Sequence, residues 1–282
     1  MATTPNGLKG KVCAVTGATG GLGKALSLEF ARRGARVVMI CRDHDKGSTA
    51  AAEVRSQTGN NAVELRLCDL SSLESVRTCA EEFHSLHSTL DVLAHTAAVY
   101  TKDRRVSPDG FELMFATNHL GPFLLTNLLM SSLKAAASAR VITVSAPSST
   151  ELNFDDLQGV REFGSYHAFG ASKSANLLFA FAAARRLAGT HVTSNAVHPG
   201  LMKTNLMHDA PAVLRVILNL VSRPPRIAAV RVGELAASPN FEGVTGTFFK
   251  GTKAAAAPAY SQHSETQERL WKVSAELAGF AA

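Results

Sequence analysis

The sequence predicts an α/β fold in which one doubly wound parallel sheet of about seven strands carries helices on both faces. Short β-branched runs alternate with longer helical stretches, and no repeat or low-complexity linker divides the 282 residues. The predicted strands are apolar throughout, which is typical of a parallel sheet covered by helices on each side. We therefore expect a single domain over residues 1–282, with a flexible N-terminus at 1–7.

The predicted elements follow one another from a first strand to a final helix. We expect strands at 12–16, 36–40, 63–67, 90–94, 140–145, 191–197 and 246–249, and helices at 21–33, 43–57, 71–87, 109–136, 165–188, 210–221, 225–237 and 264–278. Ser71 begins the third helix and Glu74 lies three residues later, which predicts a capping box with Ser71 as the N-cap. Gly121 and Pro122 are expected to interrupt the long helix at 109–136.

Composition excludes several classes of protein. Hydrophobic residues make up 46% of the chain and charged residues 18%, which is incompatible with a disordered chain. The formal net charge of +6 is too weak and too dispersed to indicate a nucleic acid as partner. The apolar stretch at 212–221 is too short for a membrane span. The four cysteines lack metal-ligand spacing and no secretory signal is recognisable, so we expect a cytoplasmic protein without a metal site.

A glycine-rich turn joins the first predicted strand to the first helix. Such glycines let the backbone turn tightly and approach a pyrophosphate, which then lies at the N-terminus of the helix. A glycine-rich loop alone is weak evidence, but its place between the first strand and helix of an alternating chain predicts a dinucleotide site. The residues expected to form this site are Gly17, Thr19, Gly21, Leu22 and Gly23.

The end of the second strand indicates which dinucleotide binds. An NAD site usually carries an acidic residue there, which binds the ribose 2′-hydroxyl. This chain has Arg42 at that place, and Lys24 follows the last glycine of the turn. A guanidinium suits a 2′-phosphate and an ammonium supplies a second charge, so the sequence predicts NADP(H) rather than NAD(H).

With these motifs the chain resembles the short-chain dehydrogenase/reductase family, in particular the branch of the retinol dehydrogenases, from about Leu8 to Phe280. The motifs that carry the resemblance are Thr16-Gly17-x-x-x-Gly21-x-Gly23, Cys68-Asp69-Leu70, Asn118-His119-Leu120-Gly121, Ser172-Lys173 with Ala175-Asn176-Leu177, and His198-Pro199-Gly200 with Thr204. The resemblance implies that Asp69 and Leu70 contact the adenine. It also implies that Ala97, Lys173, Pro199, Gly200 and Thr204 contribute to the cofactor site.

Members of this family transfer a hydride with the help of a Ser–Tyr–Lys–Asn set. Asn118 and Lys173 match the last two groups. The position four residues before Lys173 holds Phe169 in place of the tyrosine, and the serine position holds Ala146. The proton donor and the hydroxyl that would bind the reacting oxygen are therefore both absent, and the usual mechanism is not expected.

Several other side chains are candidates to replace the two lost groups. Tyr166 lies on the same face of the predicted helix as Lys173, one turn before the usual tyrosine position. Ser145 is adjacent to the lost serine but points to the other side of its strand. The further candidates, each weighed against an ordinary structural role, are Ser148, Ser149, His95 and His119.

The resulting hypothesis is an NADP(H)-dependent oxidoreductase that acts on a lipophilic carbonyl, enone or imine with a non-standard proton donor. Two alternatives stay open: a catalytically impaired, cofactor-binding sensor or partner subunit, and a non-redox isomerase or cyclase. The segment 205–225 corresponds to the substrate lid of the family, and its apolar helix suggests a lipophilic ligand or, equally, packing on the core or on a partner subunit. The resemblance also implies a homodimer or tetramer through helices 109–136 and 165–188.

Overall fold

The computed structural model describes residues 7–202 and 222–280. These residues form one eight-stranded sheet in the order β3-β2-β1-β4-β5-β6-β7-β8, in which every neighbouring pair is parallel except β7 and β8. The predicted fold class is confirmed. In the described part of the chain, no helix has the length and apolar character needed to cross a membrane.

The described elements agree closely with the predicted ones. The strands are β1 Val12–Thr16, β2 Arg36–Cys41, β3 Val63–Leu67, β4 Val92–His95, β5 Ala139–Val144, β6 Val192–His198, β7 Phe248–Lys250 and β8 Lys253–Ala255. The helices are α1 Gly21–Arg32, α2 His44–Thr58, α3 Leu73–Leu86, α4 Leu113–Phe115, α5 Gly121–Leu128, α6 Met130–Ala135, α7 Ser165–Arg186, α8 Pro225–Ala237 and α9 Ser264–Leu277. The helix predicted at 210–221 lies outside the described residues.

Two apolar clusters cover the two faces of the sheet. On one face, α1, α2 and α8 pack around side chains such as Phe30 and Val232, neither of which is exposed to solvent. On the other face, α3, α5, α7 and α9 pack around Phe123 and Leu178. Burial on both faces explains why the strands are apolar throughout.

The predicted helix at 109–136 is divided into several segments. It begins at Leu113, passes through a π-helical turn at Ala116–Leu120, and continues as α5 and α6. Gly121 lies at this change because a Cβ atom there would stand 2.1 Å from the carbonyl oxygen of Leu70. The expected interruption near Gly121 is therefore confirmed, and the close approach of the backbone after β3 requires a glycine there.

Two local predictions are corrected by the structure. The N-cap of α3 is Ser72, whose hydroxyl accepts the hydrogen bond from the Ser75 amide. Ser71 instead donates its hydroxyl hydrogen to Asp69 at 2.7 Å, which holds it in the loop before the helix. The sequence also missed β8, since its residues Lys253–Ala255 are short, partly exposed and without β-branched side chains.

The C-terminal helix α9 covers part of α5 and α7. Trp271 packs edge-on against Phe123 and stacks on Phe179, with ring centroids 5.0 and 5.9 Å apart respectively. His119 in the π-helical turn shares a buried hydrogen bond of 2.8 Å with Ser274. The helices through which an oligomer is expected are therefore partly covered by the chain's own C-terminal helix.

Candidate active site

The glycine-rich turn after β1 is built around two glycines that tolerate no side chain. A Cβ atom on Gly17 would lie 2.8 Å from Cα of Ala97, and the backbone at Gly17 has a φ of +67°. A Cβ atom on Gly23 would lie 2.3 Å from the carbonyl oxygen of Gly17. In contrast, a Cβ atom on Gly20 would meet no atom within 4 Å, so the backbone there borders open space. The turn is thus packed on its inner side and accessible on its outer side.

Hydrogen bonds fix this turn to the segment after β4. The hydroxyl of Thr16 accepts hydrogen bonds from the amides of Thr96 and Ala97 at 3.1 and 3.3 Å. The hydroxyl of Thr96 donates to the carbonyl oxygen of Thr16 at 2.5 Å. These contacts place the predicted residue Ala97 directly against Gly17. Thr16 opens the glycine-rich motif, but its role as an anchor was not predicted, although a polar residue at the carboxyl end of a buried strand is a usable signal.

The N-terminus of α1 provides unpaired backbone amides next to the turn. Its N-cap is Gly20, without a side chain to accept a hydrogen bond, and its first turn contains no acidic residue. The amide groups of the first helical turn, which includes Leu22, therefore have no side-chain acceptor from the cap. Together with the helix dipole, such amides form a binding site for an anion.

Charged side chains surround an open cleft beside this turn. Arg42 lies exposed after β2, as predicted. Lys24 forms an ion pair with Glu53 of α2, and Lys46 pairs with Asp43 at 3.1 Å. The residues that line the cleft are Thr19, Lys24, Asp45, Lys46, Thr49, Ala50 and Glu53. Lys46, Thr49 and Glu53 did not emerge from the sequence, because their positions within α2 carry no motif.

Asp69 and Leu70 shape the loop after β3. The carboxylate of Asp69 accepts two hydrogen bonds from Ser71, and its amide donates to the hydroxyl of Ser75 at 2.9 Å. Leu70 is 6% exposed and borders Gly121 through its carbonyl oxygen. The structure thus gives Asp69 a role in the loop and leaves its expected contact with an adenine as a prediction.

Asn118 joins the segment after β4 to α7 from the π-helical turn. Its side-chain oxygen accepts from the Val99 amide at 2.7 Å, and its side-chain nitrogen donates to the Val99 carbonyl and to the Ser172 hydroxyl, both at 3.0 Å. The hydroxyl of Ser172 in turn donates to the carbonyl of Phe169 at 2.7 Å. The side-chain amide of Asn118 therefore makes three hydrogen bonds to other protein groups. Through the bond to Ser172 it holds the first turns of α7 in place.

Lys173 and Phe169 lie one turn apart on α7 and contact each other. The Lys173 nitrogen Nζ lies 5.2 Å from the centre of the Phe169 ring. Lys173 is only 6% exposed, and burial lowers the pKa of its ammonium to about 8. Burial is the cause of this shift, and Nζ forms no ion pair or hydrogen bond with the residues that the structure describes. The site thus contains a buried ammonium whose contact within residues 7–202 and 222–280 is the ring of Phe169.

An aromatic cluster surrounds the other side of Phe169. The ring of Tyr100 meets Phe169 edge-on with centroids 5.8 Å apart, and its hydroxyl donates to Ser165 at 3.1 Å. Tyr166 packs at 5.8 Å from Tyr100 but is 53% exposed. Tyr166 lies seven positions before Lys173 on α7, a rise of about 10 Å. The structure therefore does not bring Tyr166 and Lys173 together.

The two serine candidates also have other partners. The hydroxyl of Ser145 is buried and donates to the carbonyl oxygen of Lys173 at 2.8 Å, which joins the end of β5 to α7. The hydroxyl of Ser148 donates to the carbonyl of Gly170 at 2.8 Å, while Ser149 is exposed. Neither Ser145 nor Ser148 has a hydroxyl hydrogen left for a reacting oxygen.

The two histidines near the cleft are buried and neutral. Burial lowers the pKa of His95 and of His119 to about 3 in each case. His95 Nε2 lies 2.8 Å from the hydroxyl of Thr126, which itself donates to Pro122, so His95 carries its hydrogen on Nε2. A neutral histidine in a structural hydrogen bond is a poor proton donor. Beside Phe169 lie Lys173 and Tyr100, and the Tyr100 hydroxyl already donates to Ser165.

The remaining predicted cofactor residues follow β6. Gly200 adopts a φ of +93°, a conformation that favours glycine. Pro199 precedes it directly after the end of the strand at His198. Thr204 lies outside the described residues. Among the described residues, no group of three potential metal ligands lies close enough together to hold a metal ion.

We predict that Gly23→Ala lowers the free energy of unfolding by about 1–3 kcal/mol, because the added methyl group overlaps the Gly17 carbonyl and displaces α1. The matched control is Gly20→Ala, in open space and in extended backbone with φ −163°, for which a loss below about 1 kcal/mol is expected. Urea unfolding followed by circular dichroism measures both. Equal losses in the two variants would contradict the packing argument.

A second prediction concerns the buried ammonium. Because the pKa of Lys173 falls from 10.5 in its ordinary state to about 8, its burial costs about 3 kcal/mol at pH 7. Lys173→Met should therefore stabilise the nucleotide-free protein by up to that amount. The unfolded chain binds the extra proton between pH 8 and 10.5, so the cost of burial disappears as the pH rises through this window.

The test compares wild type, Lys173→Met and the exposed control Lys272→Met by urea unfolding from pH 7 to pH 10.5. The advantage of Lys173→Met should shrink with rising pH, whereas Lys272→Met should follow the wild type. A Lys173→Met variant that is less stable than the wild type at pH 7 would show that the ammonium has a stabilising partner.

Comparison with known proteins places the chain among related sequences. Residues 11–213 match the short chain dehydrogenase family. Retinol dehydrogenase 12 of Mus musculus is 40% identical over 286 residues, covering 99% of this chain and 90% of that protein. Retinol dehydrogenase 13 of Homo sapiens is 38% identical, covering 98% of this chain and 86% of that protein.

A solved structure shows the same architecture. An uncharacterized protein from Mycobacterium paratuberculosis superposes with a TM-score of 0.78 at 32% sequence identity, covering 96% of this chain and 94% of the other. The sequence relatives and the solved structure each cover nearly the whole chain, and the observed fold and glycine-rich turn agree with them. The chain therefore belongs to the short-chain dehydrogenase family of oxidoreductases and is related to retinol dehydrogenases.

Proposed function

We propose that the protein is an NADP(H)-dependent oxidoreductase that transfers a hydride to or from a lipophilic carbonyl, enone or imine without a tyrosine proton donor. The observation that carries this proposal is the Lys173 ammonium, which is buried against Phe169 and lacks a described partner. A buried charge of this kind is costly unless a ligand stabilises it. The ribose hydroxyls of a bound dinucleotide would supply the missing hydrogen bonds.

The residues of the cleft fit such a cofactor. The glycine-rich turn has no side chain above Gly20, and the uncapped N-terminus of α1 suits a pyrophosphate. Arg42 and Lys24 would hold the 2′-phosphate, and Lys173 the ribose of the nicotinamide. The remaining residues that we propose for this site are Gly17, Thr19, Gly21, Leu22, Gly23, Asp69, Leu70, Ala97, Pro199, Gly200 and Thr204.

The bound cofactor supplies the hydride, and the chain supplies orientation and a proton. Phe169 keeps the aromatic surface that the family's tyrosine would present, but it donates no hydrogen bond. Lys173 holds a proton at Nζ below about pH 8 and is the group we propose as the proton source. Ser172 and Asn118 hold α7 against the segment after β4, which keeps Lys173 and Phe169 in place.

The lost groups define which substrates remain reducible. Removal of a general acid costs about 10²–10⁴ in rate and removal of an oxyanion donor about 10²–10³. Ordinary ketones, which develop a full alkoxide, are therefore disfavoured. Iminium ions and conjugated enones need less help from an acid, so we propose substrates of these classes. Both named relatives are retinol dehydrogenases, and retinol is a lipophilic polyene alcohol, which supports a lipophilic substrate.

We predict that Arg42→Ala raises the dissociation constant for NADPH by about 10- to 100-fold, the range of a lost charge-assisted hydrogen bond. The dissociation constant for NADH should change by less than about threefold, since NADH has no 2′-phosphate. Arg32→Ala is the matched control, because it removes the same charge from the exposed far end of α1. Fluorescence titration measures the dissociation constants of NADPH and NADH for the wild type, Arg42→Ala and Arg32→Ala. Tighter binding of NADH than of NADPH by the wild type would refute the preference for NADP(H).

The decisive activity experiment compares the wild type with Phe169→Tyr/Ala146→Ser. We expect the double variant to gain about 10²–10⁴ in the NADPH-dependent reduction of saturated ketones, because the tyrosine restores a proton donor. The wild type should act on imines or enones, with a rate that falls at high pH as Lys173 loses its proton. The fall should lie above pH 8, because hydrogen bonds from the ammonium to the ribose would raise the pKa of Lys173 from its value of about 8. NADPH absorbance measures each reaction.

The outcomes separate the proposal from its alternatives. A wild-type rate that disappears in Tyr166→Phe would identify Tyr166 as the proton donor against the geometry. A wild type that binds NADPH but reduces no member of the three substrate classes would favour the cofactor-binding sensor or partner subunit. Conversion of a substrate without NADPH consumption would favour an isomerase or cyclase.

Assembly and location stay predictions. A homodimer or tetramer through α5 and α7 would have to form around α9, which covers part of both helices. All four cysteines are free and buried in the described structure, which is compatible with the cytoplasmic location that we propose. The substrate lid proposed at 205–225 falls largely outside the described residues.

A further inference from the structure

We propose that Glu53 weakens the binding of the 2′-phosphate by competing for Lys24, and that it thereby sets the selectivity between NADP(H) and NAD(H). This inference rests on the proposed function, because it concerns the same nucleotide cleft. It adds a residue of α2 for which neither the glycine-rich turn nor the end of β2 gives any indication.

The ion pair between Lys24 and Glu53 bridges α1 and α2 across the mouth of the cleft. The side chains are 32% and 43% exposed respectively, so both remain accessible to a ligand. An exposed ion pair contributes little to stability and exchanges readily. A bound phosphate would therefore compete with the Glu53 carboxylate for the same ammonium.

Glu53 differs from the other carboxylate near this cleft that binds a lysine. Asp43 pairs with Lys46, but it is also the N-cap of α2 and accepts the Lys46 amide at 3.0 Å. Glu53 makes no described hydrogen bond besides its contact with Lys24. Asp43 is thus required by the helix, whereas the Glu53 charge acts on the cleft alone.

The charge balance of the cleft gives this carboxylate its influence. Lys24 and Lys46 each already face a carboxylate, and Asp45 adds a further negative charge to the lining. Arg42 is the one nearby cation for which no ion pair occurs in the described structure. A 2′-phosphate entering this cleft therefore meets repulsion from Glu53, and NAD(H), which lacks that phosphate, does not.

The test measures dissociation constants of NADPH and NADH for the wild type and Glu53→Gln by fluorescence titration. Glu53→Gln keeps the size of the side chain and removes its charge. We expect NADPH to bind about three- to tenfold more tightly, and the NADH constant to stay within about twofold. The gain should shrink from low salt to about 1 M salt, where charges are screened beyond about 3 Å.

Glu276→Gln is the matched control, since Glu276 is an exposed carboxylate on α9, against the opposite face of the sheet. It should leave both constants unchanged. Unchanged or weaker NADPH binding by Glu53→Gln would overturn the inference, and weaker binding would show that Glu53 positions Lys24 for the phosphate. A wild type that binds neither nucleotide would refute the proposed function instead.

Discussion

The close contact between the turn after β1 and the segment after β4 is the constraint on which the site depends. β1 lies between β2 and β4, so the chain leaves β1 for one side of the sheet and later returns to the other side. The crevice between these two directions opens at the carboxyl ends of the strands, where ligands of doubly wound sheets bind. Gly17 against Ala97, and Gly23 against Gly17, keep this crevice narrow at its base and open above Gly20.

The same edge of the sheet receives side chains from both helical layers. From one face, α1 and α2 bring the cations and carboxylates that line the open cleft beside the glycine-rich turn. From the other face, the π-helical turn and α7 bring Asn118, Phe169 and Lys173. The hydrogen bonds from Asn118 to Val99 and Ser172 tie these helices to the strand end, so the position of Lys173 follows from the backbone around β4.

The sequence predicts the fold well because strand burial and glycine spacing are local signals. The bounds of β1 and β3 are predicted without error, and α7 ends within two residues of its predicted end. The errors have different causes: the π-helical turn has no local motif that indicates it, and β8 is a short, partly exposed strand that pairs with the adjacent β7. The hydrogen bond of Ser145 to Lys173 and the pairing of Lys24 with Glu53 are tertiary contacts. The sequence therefore offers Ser145 and Lys24 as candidates without indicating their partners.

The retained lysine is the strongest physical argument that this chain still binds a cofactor. A pKa lowered by burial to about 8 corresponds to a cost on the order of 3 kcal/mol for the ammonium, which forms no ion pair or hydrogen bond with a described group. Such a cost is a large share of the stability of an ordinary domain. If no ligand bound beside Lys173, replacement of the lysine by a neutral side chain would remove this cost without loss of function. Phe169 adds to this argument, since its ring packs edge-on against Tyr100 with centroids 5.8 Å apart and covers the Lys173 ammonium. A buried cation beside an aromatic cluster is a place where a polar ligand gains from binding, which agrees with a chain that belongs to the short-chain dehydrogenase family.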